Sequence, residues 1–268
     1  MAEQVYYIPH GGGPLPIMGD DSHKGIIDLM RGMEDEVEGS RAIILVTAHW
    51  EGQVVLLSGA AKPPLLFDYY NFPPETYRYN YPASGAPALA QEASALLSAA
   101  SIDNQIDTER GFDHGTFVPM MLIRPSADIP ILQMSLLASL HPNAHIKIGL
   151  ALSPLVKQGV TIIGSGLSFH NLGAMLGGQM PNRSEDELFD AWLNDTLVGP
   201  GFSNAERTTN LVNWSKGPGA RFCHPREEHL LPLHVCFGAA SGANLEGKNI
   251  YRDKLLGFHV SGFRWSVN

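Results

Sequence analysis

The feature that most constrains the fold is a set of short apolar runs rich in β-branched residues. The clearest run covers residues 42–46, AIILV, and leads into Thr47-Ala48-His49-Trp50. Apolar runs of this length are typical of strands buried in the core of a sheet. Further strands are predicted at residues 5–8, 53–57, 129–134, 160–164 and 256–263.

Segments with helical features alternate with these runs. Ser184 and Glu187 form a capping-box pattern, which predicts a helix over 184–197, and Pro225 predicts the start of a helix over 225–240. Such alternation favours an α/β sandwich, with a mixed central β-sheet flanked by helices on both faces. Residues 1–268 contain no linker-like stretch, so a single domain is expected. Further helices are predicted at residues 22–38, 86–100 and 143–157.

Composition excludes several classes of protein. The formal net charge is -9 and Lys and Arg form no run, which argues against a nucleic-acid partner. No apolar stretch reaches about 18 residues, so no membrane span is expected. Cys223 and Cys236 are too few for a secreted disulfide scaffold, and the N-terminus lacks the features of a signal peptide. A cytoplasmic protein with reduced thiols is therefore expected.

Histidines follow several of the predicted strands. His10 comes after VYYIP, His49 after AIILVTA and His170 after VTIIGSGLSF, among eleven histidines in the chain. Because ligands of open α/β sheets gather at the carboxyl ends of the strands, these side chains are expected in one crevice. Imidazole binds Fe, Zn, Cu and Ni, so a shared metal site is one interpretation. The alternative is three separate structural histidines at the edge of the core.

Two further segments contain histidines in unusual surroundings. In RGFDHG, His114 lies between glycines, and spacing alone favours a turn capped by Asp113. In HPREEHLLPLHV, His229 falls in the predicted first turn of a helix, from which it could point into a cleft, while Pro232 should bend that helix. His234 is expected to pack in the core.

The loop PHGGGP allows two interpretations. Its glycines would let the backbone pass close to an ion or substrate, or they form an ordinary tight turn. It lacks the Lys and Ser/Thr of a phosphate-binding loop, and the chain contains no GxSxG, GxGxxG or HExxH motif. Residues 62–85 are rich in Pro, Tyr and Phe without a period, which is typical of a lid or of a loop packed by its own aromatics.

Taken together, six segments resemble the class III (LigB-type) extradiol ring-cleavage dioxygenases, in particular the DOPA 4,5-dioxygenase-like branch. They occur in the family's order and cover nearly the full length of the chain. The segments are PHGGGP, TAHWE, FDYYNFPPETYRYNYPASGAPALA, RGFDHGTFVPM, GSGLSFHNL and HPREEHLLPLHV.

The resemblance implies a LigB-like fold and one non-haem Fe(II) that binds a small catechol through two adjacent oxygens. O2 would bind beside it, and the ring would open next to the hydroxyls. His10 and His49 match the family's metal ligands, and His229 matches the third, with Glu228 as the rival. His170 matches the active-site acid/base and could also approach the ion, and His114 matches a second active-site histidine.

Three readings stay open at this point, of which the Fe(II) dioxygenase is the first. An all-histidine site also suits Zn, which would fit a purified or resting protein or a relative with hydrolytic or no activity. A metal-free interaction protein on the same scaffold, as in the Memo-like relatives, is the third reading. A homo-oligomer is compatible with the sequence. The aromatic loop 67–81 is expected to form the wall or lid of a dry pocket.

Overall fold

The structure, a computed structural model, describes residues 3–177 and 185–267. Within these residues the chain forms an eight-stranded mixed sheet with the strand order β4-β3-β5-β2-β6-β1-β8-β7. The strands are β1 (Gln4–Pro9), β2 (Ala42–Gly52), β3 (Val55–Ser58), β4 (Asn104–Asp107), β5 (Ile131–Leu137), β6 (Val160–Gly166), β7 (Glu246–Leu255) and β8 (Phe258–Ser266).

The central strands β1, β2, β5 and β6 are parallel and almost entirely buried. Their apolar runs are continuous because both faces of the sheet are covered. The pairing of β2 with β5 shifts register between Val46 and Glu51. His49 therefore lies in an irregular stretch at the carboxyl end of β2, where the regular ladder is interrupted.

Helices cover both faces of this sheet, as consecutive residues of β6 demonstrate. A Cβ on Gly164 would collide with Cys236 and Pro232 of one helix, whereas the neighbouring Ser165 bonds to the Gly115 carbonyl of another. The helices are α1 (Leu15–Met18), α2 (Lys24–Gly32), α3 (Glu34–Val37), α4 (Pro87–Ala99), α5 (His114–Ile123), α6 (Pro142–Val156), α7 (Leu172–Leu176), α8 (Glu185–Val198), α9 (Asn204–Val212), α10 (Ala220–Cys223) and α11 (Leu231–Ala243). Short 3₁₀ turns cover Asp21–His23, Pro74–Arg78 and Trp214–Lys216. The predicted α/β sandwich with a mixed sheet is confirmed.

The predicted helix start at Pro225 is wrong. The helix begins at Leu231, and Pro232 stands in its first turn instead of bending it. The reason is that the His229 carbonyl accepts hydrogen bonds from the backbone N–H of Leu167 and the hydroxyl of Tyr7, outside the helix. Proline is tolerated in a first turn because its missing N–H would have no partner there.

Other predicted boundaries also change. RGFDHG is not a turn, because α5 begins at His114. The predicted helix 22–38 divides at Met33, and the capping residue Ser184 lies outside the described residues.

Strands β4 and β7 were not predicted because they are the two edges of the sheet. Edge strands face solvent on one side and therefore lack a continuous apolar run. Among the described residues, no helix has the length and apolarity needed to cross a membrane.

Candidate active site

Five histidines meet at the carboxyl ends of β1, β2 and β6. His10 follows β1, His49 lies near the end of β2, and His170 follows β6 after a short loop. His114 opens α5, and His229 lies just before α11. Since β6 pairs with both β1 and β2 in parallel, the carboxyl ends of these three strands lie at the same end of the sheet. The predicted crevice is therefore present, and the structure brings His114 and His229 into it.

The rings of His10, His49 and His229 form a nearly equilateral triangle. Their centroids are 4.9 Å apart for His10 and His49, 5.2 Å for His10 and His229, and 4.9 Å for His49 and His229. Three imidazoles bound to one ion at about 2.1 Å would have centroids about 4.6–5.4 Å apart. The Nε2 atoms of His10 and His49 are 3.1 Å apart, a separation that also fits two ligands of one ion.

His114 is a rival for the third position. One ring nitrogen from each of His10, His49 and His114 lies within 4.8 Å of the others, so these nitrogens could also hold an ion. However, the His114 and His49 centroids are only 3.9 Å apart, which is closer than two rings on one ion would lie. The ring geometry therefore favours His229 over His114.

Hydrogen bonds place the ring proton of His10 on Nδ1, the nitrogen next to Ser165. Ser165 Oγ donates to the Gly115 carbonyl, and it lies 3.0 Å from His10 Nδ1. Because that hydroxyl proton is already used, Nδ1 of His10 must donate, and Nε2 keeps its lone pair in the neutral ring. A second ring nitrogen held in this way orients a metal-binding histidine.

Glu228 orients two rings at once. Its Oε1 atom lies 3.0 Å from Nδ1 of His170 and 2.9 Å from Nδ1 of His229, and these two rings stack at 3.4 Å. Burial raises the pKa of Glu228, but hydrogen bonds from His170 and from the backbone, together with electrostatic interactions with His170 and Arg226, lower it more, so the net pKa lies below the usual value. The carboxylate therefore stays ionised and holds Nδ1–H of both rings, which leaves each Nε2 atom facing the site.

Asp68 orients the His114 ring in the same way, although no sequence pattern predicted this role. Its Oδ1 lies 2.8 Å from His114 Nδ1 and also accepts from the His114 backbone N–H, while Oδ2 lies 4.0 Å from His49 Nδ1. Burial raises the pKa of Asp68, but the side-chain and backbone hydrogen bonds from His114, together with electrostatic interactions with His114 and His49, lower it more, so the net pKa lies below the usual value. Asp68 belongs to the aromatic segment FDYYNF, and no local signal distinguishes it from any loop aspartate.

Burial keeps the rings of His10, His49 and His229 neutral. Desolvation and the neighbouring histidines hold the pKa of His10 and of His229 well below the usual value. Desolvation, followed by the charge of His114, lowers the pKa of His49 to about 3. Neutral imidazole is the form that binds a metal ion, so this donor set fits a divalent ion such as Fe(II) or Zn.

Asp113 does not cap α5 with its side chain, contrary to the prediction. It occupies the N-cap position, but its buried carboxylate accepts from Thr47 Oγ1 and pairs with Arg110 instead. Arg110 also donates to the His49 carbonyl. These contacts tie the end of β2 to the start of α5 and so fix the spacing between His49 and His114.

The histidines line one wall of a cavity of about 290 Å³. Tyr69 and Phe72 of the aromatic loop form part of another wall. The same loop packs on itself, because Tyr69 contacts the rings of Phe72 and Tyr77 and donates to the Thr76 carbonyl. Both interpretations of this loop are therefore correct: it is held together by its own aromatics and it forms a pocket wall.

Comparison with known proteins agrees with this geometry. The family described as "Catalytic LigB subunit of aromatic ring-opening dioxygenase" matches residues 4–261. The dioxygenase tasH of Hapsidospora irregularis is 42% identical over 97% of this chain and 85% of its own length. The 4,5-DOPA dioxygenase extradiol of Mirabilis jalapa is 35% identical over 92% of this chain and 90% of its own.

A solved structure has the same fold. The crystal structure of an uncharacterized protein from Escherichia coli K12 matches with a TM-score of 0.75 and 25% identity, over 99% of both chains. The chain therefore belongs to the LigB family of aromatic ring-opening dioxygenases, as its motifs indicated. Its histidine cluster supplies the kind of metal site that such an oxygenase requires.

Proposed function

We propose that this chain, acting as one domain, is an Fe(II)-dependent extradiol dioxygenase that opens the ring of a small catechol with O2. His10, His49 and His229 would hold the ion. The observation that carries the proposal is the triangle of these three rings, in which His10 and His229 turn a bare Nε2 inward. Family membership supports the class of reaction.

The bound Fe(II) would act as a Lewis acid and template that holds the two catechol oxygens and O2 side by side. His170 would accept a proton from a catechol hydroxyl. Its Nδ1 donates to the Glu228 carboxylate, so Nε2 carries the lone pair that takes the proton. His114, held by Asp68 in the same way, lines the same cavity and would also contact the substrate. Tyr69 and Phe72 would exclude water from the reacting centre.

The test is anaerobic loading with Fe(II), followed by O2 uptake and product absorbance with a panel of catechols. Stoichiometric iron, consumption of one O2 per catechol and a coloured ring-opened product are expected. Iron-loaded protein that leaves every catechol and O2 unconsumed would refute the reaction. His229→Ala is expected to lose most of the iron while His114→Ala retains more, and the reverse result would assign the third position to His114.

A Zn-binding relative is the second candidate, because an all-histidine donor set suits Zn as well. Tight Zn binding without O2 consumption after exchange for Fe(II) would favour it. The cytoplasmic location and any self-association stay predictions from the sequence. Size-exclusion chromatography with light scattering would measure the latter.

A further inference from the structure

The cavity beside the histidine cluster has an apolar wall. Apart from its histidines and glycines, the lining consists of leucines, one methionine and two aromatic residues, and no Lys, Arg, Asp or Glu of the described chain lines it. Two guanidinium groups near the cluster in the described part of the chain are already engaged, since Arg110 binds Asp113 and Arg226 binds Glu51. The apolar lining residues are Leu15, Tyr69, Phe72, Leu167, Leu172, Met175, Leu176, Leu255 and Leu256.

Leucines at the mouth of this cavity are exposed to solvent. Leu172 is 54% exposed, Leu176 76% and Leu256 38%. The short helix α7, which carries the first two, has no buried residue, so these side chains do not serve its packing. Exposed leucines grouped at the mouth of a pocket are typical of a surface that an apolar ligand covers.

Leu256 provides a second, independent observation. It occupies the first position of the two-residue turn between Leu255 and Phe258, with a φ of 52°, and Gly257 follows with a φ of 90°. Such turns favour Asn-Gly or Asp-Gly, because a leucine in the left-handed region is strained. The chain therefore keeps a leucine at the pocket mouth where an asparagine would make a more stable turn, which points to a functional role for its side chain.

We infer that the substrate is a catechol bearing an uncharged, apolar substituent that extends from the histidine cluster toward Leu172, Leu176 and Leu256. This inference rests on the proposed function, which supplies the catechol head. A carboxylate or ammonium on the substituent would give up part of its hydration against these leucines without gaining a partner of opposite charge. The pocket thus selects against catechols with charged side chains.

Anaerobic titration calorimetry of the Fe(II)-loaded protein tests this inference independently of turnover. The matched ligands are 4-methylcatechol, 4-butylcatechol, 3-(3,4-dihydroxyphenyl)propionate and dopamine. Each methylene buried should tighten binding by up to about fourfold, and the carboxylate or ammonium should weaken it at least about tenfold relative to butyl. Equal or tighter binding of the charged ligands would overturn the inference. O2 uptake with 4-methylcatechol separately decides the proposed function.

Two substitutions locate the selectivity. Leu176→Arg should bring binding of the propionate to within a few fold of 4-butylcatechol, because it adds a cation at the mouth. Leu150→Arg is the matched control, since Leu150 is 43% exposed on α6 and does not line the cavity. An equal change in both variants would mean a net-charge effect and would overturn the assignment to this mouth.

Leu256→Asn separates binding from folding. The Asn-Gly turn should raise the urea midpoint of unfolding, while binding of 4-butylcatechol should weaken severalfold relative to 4-methylcatechol. Greater stability with unchanged selectivity would show that Leu256 does not contact the substituent, against the inference.

Discussion

Two groups of histidines, all buried or half-buried, differ in where their ring nitrogens point. The site histidines, His10, His49, His114, His170 and His229, turn toward one another and toward the cavity. The packed histidines, His145, His224 and His234, bond to backbone atoms of neighbouring segments.

His145 is the clearest member of the second group. Its Nδ1 donates to the His141 carbonyl and its Nε2 accepts from the backbone N–H of Leu137, so no lone pair remains for a ligand. In His10, by contrast, only Nδ1 has a fixed acceptor, Ser165, and Nε2 faces the Nε2 atom of His49. Fully buried rings occur in both groups, so the direction of the second nitrogen is what separates a candidate ligand from a packed ring.

The largest expected effect tests this distinction directly. His49→Ala should weaken Fe(II) binding by about 100-fold or more, because it removes a proposed ligand and not merely a residue that orients one. His145→Asn is the matched control and should keep stoichiometric iron while losing on the order of 1–3 kcal/mol of stability. Metal analysis and urea unfolding measure both quantities. Equal loss of iron from the two folded variants would contradict the division into two groups.

Within the site group, His170 is expected to behave differently from the ligands. His170→Ala should lower kcat with a small catechol by about 10²–10⁴-fold, because the proton acceptor is lost. Its iron content should stay above that of His49→Ala. Steady-state O2 consumption with metal analysis of the same sample tests this. Turnover near that of the parent protein would mean that His114, or no histidine of the site, is the acid/base.

Replacing a carboxylate that orients a histidine ring should reduce activity or metal affinity less than replacing the histidine itself. Asp68→Asn preserves shape but removes the charge that holds His114, so activity or metal affinity should fall about 10–100-fold. Asp128→Asn is a suitable control, because Asp128 also accepts hydrogen bonds from a basic side chain, Arg124, but on the exposed surface. A decrease of less than about twofold in both activity and metal affinity of Asp68→Asn would show that His114 does not need this carboxylate.

The smallest expected effect is the pH dependence of stability that a packed histidine, His145, causes. Burial lowers the pKa of His145 to about 4, whereas in the unfolded chain it is near 6.5. As the pH falls below 6.5, the unfolded state binds the proton first, so stability decreases, by at most about 1.4 kcal/mol per pH unit for this residue. Urea unfolding of metal-free protein at pH 7 and 5.5 measures the slope. His145→Asn should show a shallower slope, and an unchanged slope would mean that His145 does not contribute.

Much of this molecule was predictable from local patterns. The apolar runs predicted the central strands because both faces of β1, β2 and β6 are buried, and the strand-end positions of His10, His49 and His170 predicted a shared crevice. Edge strands β4 and β7 escaped prediction because half-exposed strands carry no such run. The motif resemblance added His114 and His229, which spacing alone did not place.

The sequence by itself determined the central strands, several of the longer helices, the family and the histidines at the strand ends. These depend on local hydrophobicity and on motifs that are contiguous in the chain. Only the tertiary structure decided which nitrogen of each ring faces the cavity, that Asp68 and Glu228 hold the rings from behind, and that leucines from α7 and the β7–β8 turn meet at one mouth. Those facts depend on contacts between residues far apart in sequence, which no local pattern encodes.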